Sequence, residues 1–475
     1  MREADPLVRE IDVPAQVLRA LALRFPERYP VLFDSAAQGA LGTHSILAAA
    51  PQGCLWLDAD GRVGAQGVAE CSAAQLAGRT ANSGTTGFLD ALESWWLQER
   101  TLGAPAALPF TGGWSVFLGY EIAGEVEPRL RLPRSSDPWR AFALRTPCAL
   151  VHELGSGRVY AIAEPQAADC LDRIESEARA MAARTCAPGP APVIEWLEEE
   201  DPGAYIERVE RAKEYVRAGD IYQANLSRPW VLHAAHEFDA AAVYERLRHA
   251  NPAPFAALAQ WRGMTILSSS PERLIRIQGR RVDTRPIAGT RPRSRRAGSD
   301  GLEMTELAAH PKERAEHIML VDLERNDLGR VCRAGSVRVD ELMSIESYAH
   351  VHHIVSNVSG ELRPEVTPIG ALRAVFPGGT ITGCPKFRCM QIIAELEAQG
   401  RGAYTGSIGF LGRDGTLDMN ILIRTMTLQG RRIELRAGGG IVADSDPQRE
   451  LEETRAKARG MLAAFSLAER AGAGA

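Results

Sequence analysis

The stretch Asp283-Thr-Arg-Pro-Ile-Ala-Gly-Thr-Arg-Pro-Arg293 closes an alternating apolar pattern with a cluster of Pro, Gly and Arg. A strand that ends in Gly-Thr-Arg presents backbone amides and a guanidinium at its tip, which suits a carboxylate. The same composition also describes an ordinary turn. Its meaning therefore depends on what accompanies it along the chain.

The chain has 475 residues, 45% hydrophobic and 24% charged, enough for two domains or one large core. A net charge of -5 argues against a nucleic-acid partner, and only Arg291–Arg296 concentrates arginine, in Gly/Ser-rich surroundings that suit a surface loop. The eight cysteines form no CxxC pair and no metal-like spacing with histidine. That usage predicts reduced thiols in a cytosolic protein. No apolar run follows the N-terminus and no uncharged stretch of about 18 residues occurs, so neither a signal peptide nor a membrane span is expected. The predicted location is the cytoplasm.

Cys186-Ala-Pro-Gly-Pro-Ala-Pro-Val193 is the main compositional break. It predicts an N-terminal region over 1–186, a connector over 187–198, a catalytic region over 199–468 and a short flexible tail over 469–475. Strand patterns occur at Val31–Phe33, Cys54–Leu57 and Trp114–Tyr120, and a helical one over 169–184. Asp201-Pro202 has N-cap and N1 character for a helix through Val216. Strands and helices then mix irregularly, which predicts an α+β fold and not a doubly wound parallel sheet.

Three segments could carry chemistry. In the helix predicted over His310–Asp327, Glu313, Glu316, His317, Leu320 and Leu323 share one face. Carboxylates on an apolar stripe need a cation or a metal, or they form surface Glu–Arg pairs. A second helix begins at the N-cap Asp446, with Glu450, Glu453 and Lys457 on one face. Two carboxylate-bearing helices suit a hard cation such as Mg²⁺, while i,i+4 pairing of Glu453 with Lys457 is the plainer alternative. The third segment, Thr416–Ala437, reads as a hairpin with Arg424 inside an apolar strand, where it needs an anion. Upstream, Phe376–Lys386 is a glycine-rich turn into a helix starting near Pro385. His350, His352 and His353 fall on a strand pattern without cysteines at zinc-ligand spacing.

Taken in order, several segments resemble the chorismate-utilising enzymes, which include the first components of anthranilate synthase and aminodeoxychorismate synthase and the isochorismate and salicylate synthases. They are Gly219–Arg228, Ser270-Pro-Glu-Arg273, Pro286–Arg291, the 310–330 helix, Gly379–Lys386, Ile423-Arg-Thr425, Ala437-Gly-Gly-Gly440 and Glu452–Lys457. The likeness covers 200–468, and more weakly Leu32-Phe-Asp-Ser35, Thr43-His-Ser-Ile46 and Phe110–Tyr120. It implies a large α+β fold of antiparallel β-sheets sandwiched with flanking helices, and an N-terminal pocket of the aromatic amino acid type near Asp34-Ser35 and Thr43–Ile46.

The resemblance implies Mg²⁺ on Glu316 and Glu453, with Glu313 and Glu450 in or near its shell. It implies that Arg424, Tyr404, Lys457 and the amides of Gly438, Gly439 and Gly440 hold the enolpyruvyl side of chorismate, and that Gly289, Thr290 and Thr380 line the ring. Glu272 would protonate the departing 4-hydroxyl, for which burial must raise its pKa. His353 would contact the ring. Gln223 stands where water-using members carry a lysine, which implies ammonia as nucleophile, supplied by a separate glutamine amidotransferase subunit because no glutaminase elbow occurs in this chain. Ala288 stands where aminodeoxychorismate synthases carry a lysine and matches the anthranilate pattern. Leu32–Ala36, Gly219–Arg228 and Tyr404–Phe410 look more like the aminodeoxychorismate branch, which is the product expected here, with anthranilate as the alternative.

Overall fold

The computed structural model describes residues 5–37, 41–67, 87–101, 108–184, 189–292, 311–347 and 351–467. Within them lie two antiparallel sheets, of 12 and 11 strands, packed face to face. Val31, Ala257 and Ile266 of the first sheet meet Phe117, Phe142 and Ile408 of the second in a shared interior. Helices Gln16–Arg24, Ala168–Ala182, Ala240–Ala250 and Pro447–Leu462 cover the outer face of the first sheet. Phe88–Glu99, Pro311–Gly329 and Pro368–Val375 cover that of the second. The four layers match the α+β sandwich expected from the sequence.

Strands from both sides of the Pro-rich connector share each sheet. The first sheet runs from Leu7–Ile11 through Val31–Asp34, Phe255–Trp261, Met264–Ser270, Thr425–Gln429, Arg432–Ile441 and Gln223–Ala234 to Ile194–Glu199. The second starts at Ile287–Pro292 and passes through Val351–Glu361, Arg281–Arg285, Arg273–Gln278, Leu417–Asn420 and Ser407–Gly412 to Gly113–Leu118 and beyond. The chain therefore changes sheets at Pro271–Glu272 and again over 421–424. Ile421 N–H donates to the Glu272 carbonyl at 3.0 Å, and Ser269 N–H to that of Arg424 at 3.1 Å. The two crossovers are thus bonded to each other.

Several local readings hold. Asp201 caps Pro202–Arg217 by accepting from Ala204 N–H at 2.8 Å, and Asp446 caps Pro447–Leu462 by accepting from Arg449 N–H at 2.9 Å. Others need correction. The strand expected to reach Tyr120 ends at Leu118, and Tyr120 opens a 3₁₀ turn. Thr416–Ala437 is not one hairpin: Leu417–Asn420 belongs to the second sheet, and only Thr425–Gln429 pairs with Arg432–Ile441. Arg424 lies in the crossover at a φ of 50° and not inside a strand. The apolar run looked like one strand because both sheets bury it.

The region near Asp34 encloses a cavity of about 660 Å³ bordered by Ser35, Thr43, His44 and Arg248. Asp34 accepts from Arg248 Nε at 2.9 Å, Ser45 Oγ at 3.0 Å and the Tyr244 hydroxyl at 3.1 Å. No helix among the described residues is long and apolar enough to cross a membrane.

A buried ion cluster supports the glycine strand from below. Glu397 accepts from Arg401 Nη2 at 2.7 Å, Arg436 Nη2 at 3.2 Å and Ser227 N–H at 2.8 Å, and all are buried. Removing one partner of such a cluster leaves uncompensated buried charge. Glu397→Ala is expected to cost about 3–5 kcal/mol in urea denaturation, and a loss below about 1 kcal/mol would contradict that account.

Candidate active site

The sheet crossovers bring Glu272, Thr380, Arg424 and His353 into one neighbourhood. Glu272 is 3% exposed, and its Oε1 accepts from Ile287 N–H at 3.3 Å. Burial raises its pKa to about 8, and the nearby charge of Glu324 pushes the same way. Opposing this are the Ile287 amide, Arg424, and the Thr380 hydroxyl, which lies close to the carboxyl without ideal hydrogen-bond geometry. Desolvation wins, so Glu272 is protonated at neutral pH. Half-buried Arg424 answers to Glu272 electrostatically, and its Nη1 also reaches Asn251 Oδ1 at 3.5 Å.

His353 lies on Val351–Glu361, opposite Thr290 in the neighbouring strand. Burial drives its pKa down to about 3, with Arg424 adding to the shift, so the ring is neutral. His352 faces the opposite side and its Nδ1 meets Ser347 Oγ at 2.7 Å; His350 lies outside the described residues. Gly289 takes a φ of 66° at a register shift between Ala288 and Thr290. This bulge is what the Pro/Gly/Arg cluster of the sequence encodes, and it turns the strand tip toward His353.

Gln223 begins its strand beside the Gly383–Cys384 turn and is buried, with Oε1 lacking a hydrogen-bond partner. It lies flat over the glycine strand: a β-carbon on Gly440 would fall 1.9 Å from Gln223 Nε2. Gly438, Gly439 and Gly440 pair with Ser227, Leu226 and Asn225 on one edge. Pairing on the other edge stops at Leu435, leaving that edge without a strand partner over the glycines. Tyr404 is buried beneath, its hydroxyl pushed up to about 12 by desolvation, with the Arg401 guanidinium 5.7 Å from its ring.

The 447–462 helix crosses the glycines from outside. A β-carbon on Gly439 would lie 3.2 Å from Glu450 Oε2, 3.6 Å from Glu453 Oε1 and 3.9 Å from Lys457 Nζ. Lys457 donates to the Gly438 carbonyl at 2.8 Å and pairs with Glu453 at 2.7 Å. The i,i+4 ion pair and the approach to the glycines therefore coexist. Half-buried Glu316 stands on the 311–329 helix, which packs against the other sheet. The side chain of Glu313 lies outside the described residues, as do those of Ala288 and Thr290. The described residues contain no group of three or more His, Cys, Asp or Glu close enough together to hold a metal ion. The carboxylates the sequence points to, Glu450 and Glu453 on one helix and Glu316 on another, all reach solvent, Glu453 most openly. That chemistry fits a hard cation that keeps water ligands.

Two buried carboxyls escaped the sequence reading. Glu324 and Asp327 are 4% and 2% exposed, and Lys386 binds Asp327. Glu324 follows His317 by seven residues, so the buried stripe of this helix continues one turn past the predicted positions. The charged run Leu323-Glu-Arg-Asn-Asp327 hid that continuation.

Around the crossovers a buried acid thus stands beside a neutral imidazole and a guanidinium, while Glu450, Glu453 and Lys457 stand over the glycine strand. Residues 52–463 match the chorismate binding enzyme family, and the chain belongs to that family. It is 42% identical over 375 residues to the anthranilate synthase component I-like protein of Synechocystis sp., spanning 77% of this chain and 75% of that one. It is 48% identical over 266 residues to aminodeoxychorismate synthase component 1 of Bacillus subtilis, spanning 56% of each. The crystal structure of anthranilate synthase component I from Streptococcus pneumoniae superposes with a TM-score of 0.76 at 28% identity, over 89% of this chain and 93% of that one.

Gly440→Ala should swing the Gln223 amide off the glycine strand while the sheet stays intact. A crystal structure of the variant checks this, and an unmoved amide would show that the contact does not fix the side chain.

Proposed function

We propose that this enzyme aminates chorismate with ammonia delivered by a glutamine amidotransferase partner, and that its product is 4-amino-4-deoxychorismate, the precursor of p-aminobenzoate in folate synthesis. One observation carries the amination reading: Gln223 is a buried, uncharged amide at the position expected to face the nucleophile. An amide cannot take a proton from water near neutral pH, so the nucleophile must be reactive without a base to deprotonate it, as neutral ammonia is. The protonated Glu272 supports the companion step, donation of a proton to the 4-hydroxyl as it leaves as water.

In this reading Arg424, Tyr404, Lys457 and the glycine amides hold the enolpyruvyl carboxylate, Gly289, Thr290 and Thr380 border the ring, and neutral His353 touches its face. Glu453 and Glu316, with Glu450 and Glu313 near them, would hold Mg²⁺, which when bound supplies positive charge to a substrate carboxylate. The product assignment rests on Leu32–Ala36, Gly219–Arg228 and Tyr404–Phe410. Ala288 favours a second reading, anthranilate formation: with no lysine there to attack C2, ammonia can do so itself.

Incubation with chorismate, Mg²⁺ and ammonium, with and without aminodeoxychorismate lyase, separates the readings. p-Aminobenzoate that appears only with the lyase supports the first, anthranilate formed without it supports the second, and unconsumed chorismate sinks both. Glu272→Gln should bind chorismate but lose at least about a hundredfold in turnover. For the wild type at a fixed concentration of free ammonia, kcat should hold below about pH 8 and fall above it as Glu272 loses its proton. Chelation of divalent ions should abolish turnover and added Mg²⁺ restore it.

A further inference from the structure

Glu324 is a buried carboxyl with no part in the steps above. It projects from the 311–329 helix toward the turn Gly378-Gly-Thr380 and is 4% exposed. Gly379 N–H donates to its Oε1 at 3.3 Å, and a β-carbon on Gly379 would lie 3.0 Å from the same oxygen. The carboxyl is thus pressed against the backbone of this turn. On the other side of the turn, the Thr380 hydroxyl borders Glu272, and Gly378 packs on Leu274 of the second sheet and Ile421 of the crossover. Two buried carboxyls therefore face each other across three residues.

The surrounding charges are unequally shared. Asp327 takes both Lys386 and Arg330 Nη2, the latter at 2.9 Å. Glu324 feels Lys386 only from a distance and is otherwise faced by Asp327, the Thr284 hydroxyl and Gly379 N–H. Glu272 is faced by Arg424, Ile287 N–H, the Thr380 hydroxyl and Glu324. We propose that Glu324 is a positioning residue for the proton of Glu272: its carboxylate, fixed behind the Gly379–Thr380 turn, holds that proton on the acid at the pH where the acid is used. This rests on the acid role proposed above for Glu272. Burial and the Asp327 charge raise Glu324 to about 7, while the deeper desolvation of Glu272 raises it to about 8; across the turn that separates them, a charge on Glu324 therefore opposes ionisation of Glu272. Burial alone would favour both neutral forms; the ordered pair extends the working range of the acid toward higher pH.

Glu324→Gln keeps the acceptor for Gly379 N–H and removes the charge. The measurement is turnover of chorismate with ammonium, taken as the ratio of variant to wild-type kcat at each pH so that ionisation of ammonia cancels. Below about pH 6, where Glu324 is neutral, the ratio should be level; between about pH 7 and 9 it should fall to about one third or lower, KM for chorismate staying within about twofold. Glu324→Asp, which restores the charge, should recover most of the loss at high pH. A ratio level across the whole range would overturn the proposal and leave Glu324 a packing residue. Retained turnover in Glu272→Gln is a different result, since it removes Glu272 from the acid role itself. Should Glu324→Gln fail to fold, infrared pH-difference spectra of the wild type and Glu272→Gln test the same coupling from the other side. The Glu324 carboxylic band should titrate at lower pH once Glu272 cannot ionise or share its proton, and an unmoved band would overturn the proposal.

Discussion

The site depends on the chain changing sheets twice at one place. Pro271–Glu272 leaves the first sheet for the second, and the 421–424 segment returns. The Ser270 hydroxyl locks the two together by donating to the Ile421 carbonyl at 2.5 Å and accepting from Glu272 N–H at 3.2 Å. A crossover has no ladder to fix it, so these bonds do the work that strand pairing does elsewhere. They also explain why the acid and the guanidinium are neighbours although about 150 residues separate them in sequence. Neither can move without dragging a strand of each sheet.

That placement decides the electrostatics. A carboxyl carried from water to this depth gains only one amide donor, a hydrogen bond worth about 1 kcal/mol. Moving its pKa from 4.5 to about 8 corresponds to roughly 5 kcal/mol in favour of the neutral acid. Desolvation therefore exceeds all that the local donors return. Arg424 does not neutralise the effect because it is itself partly desolvated, which pulls its pKa down. His353, between the two strands, is kept uncharged by the same dryness.

Much of this was legible before any coordinates. The helix caps at Asp201 and Asp446 are local chemistry and are legible directly; around Gly289 the sequence shows only a Pro/Gly/Arg cluster, and the strand bulge there, with Gly289 at a φ of 66°, comes from the pairing of two strands far apart in the chain. Arg424 was misplaced because periodicity cannot distinguish one long buried strand from two that belong to different sheets. Glu324 was missed because a glutamate flanked by Arg and Asp looks solvent-facing. Its burial is set by the Gly378–Thr380 turn, which reaches it from 55 residues downstream. Sandwich packing was legible through the ordered set of motifs and not through strand pattern alone.

The two walls of the site differ in kind. On the crossover side Glu272 and His353 are buried, and their charge states are set by what lies within a few ångströms. On the 447–462 side the carboxylates of Glu450 and Glu453 and the ammonium of Lys457 stand over Gly439 in contact with solvent, Lys457 and Glu453 being 42% and 53% exposed. A proton donor gains from dryness, because water would level its pKa. A cation site that must exchange its ligands gains from the reverse, since a hard ion sheds its last waters reluctantly. The crossover wall is dry and the helix wall wet, so the groups on each keep their own dielectric.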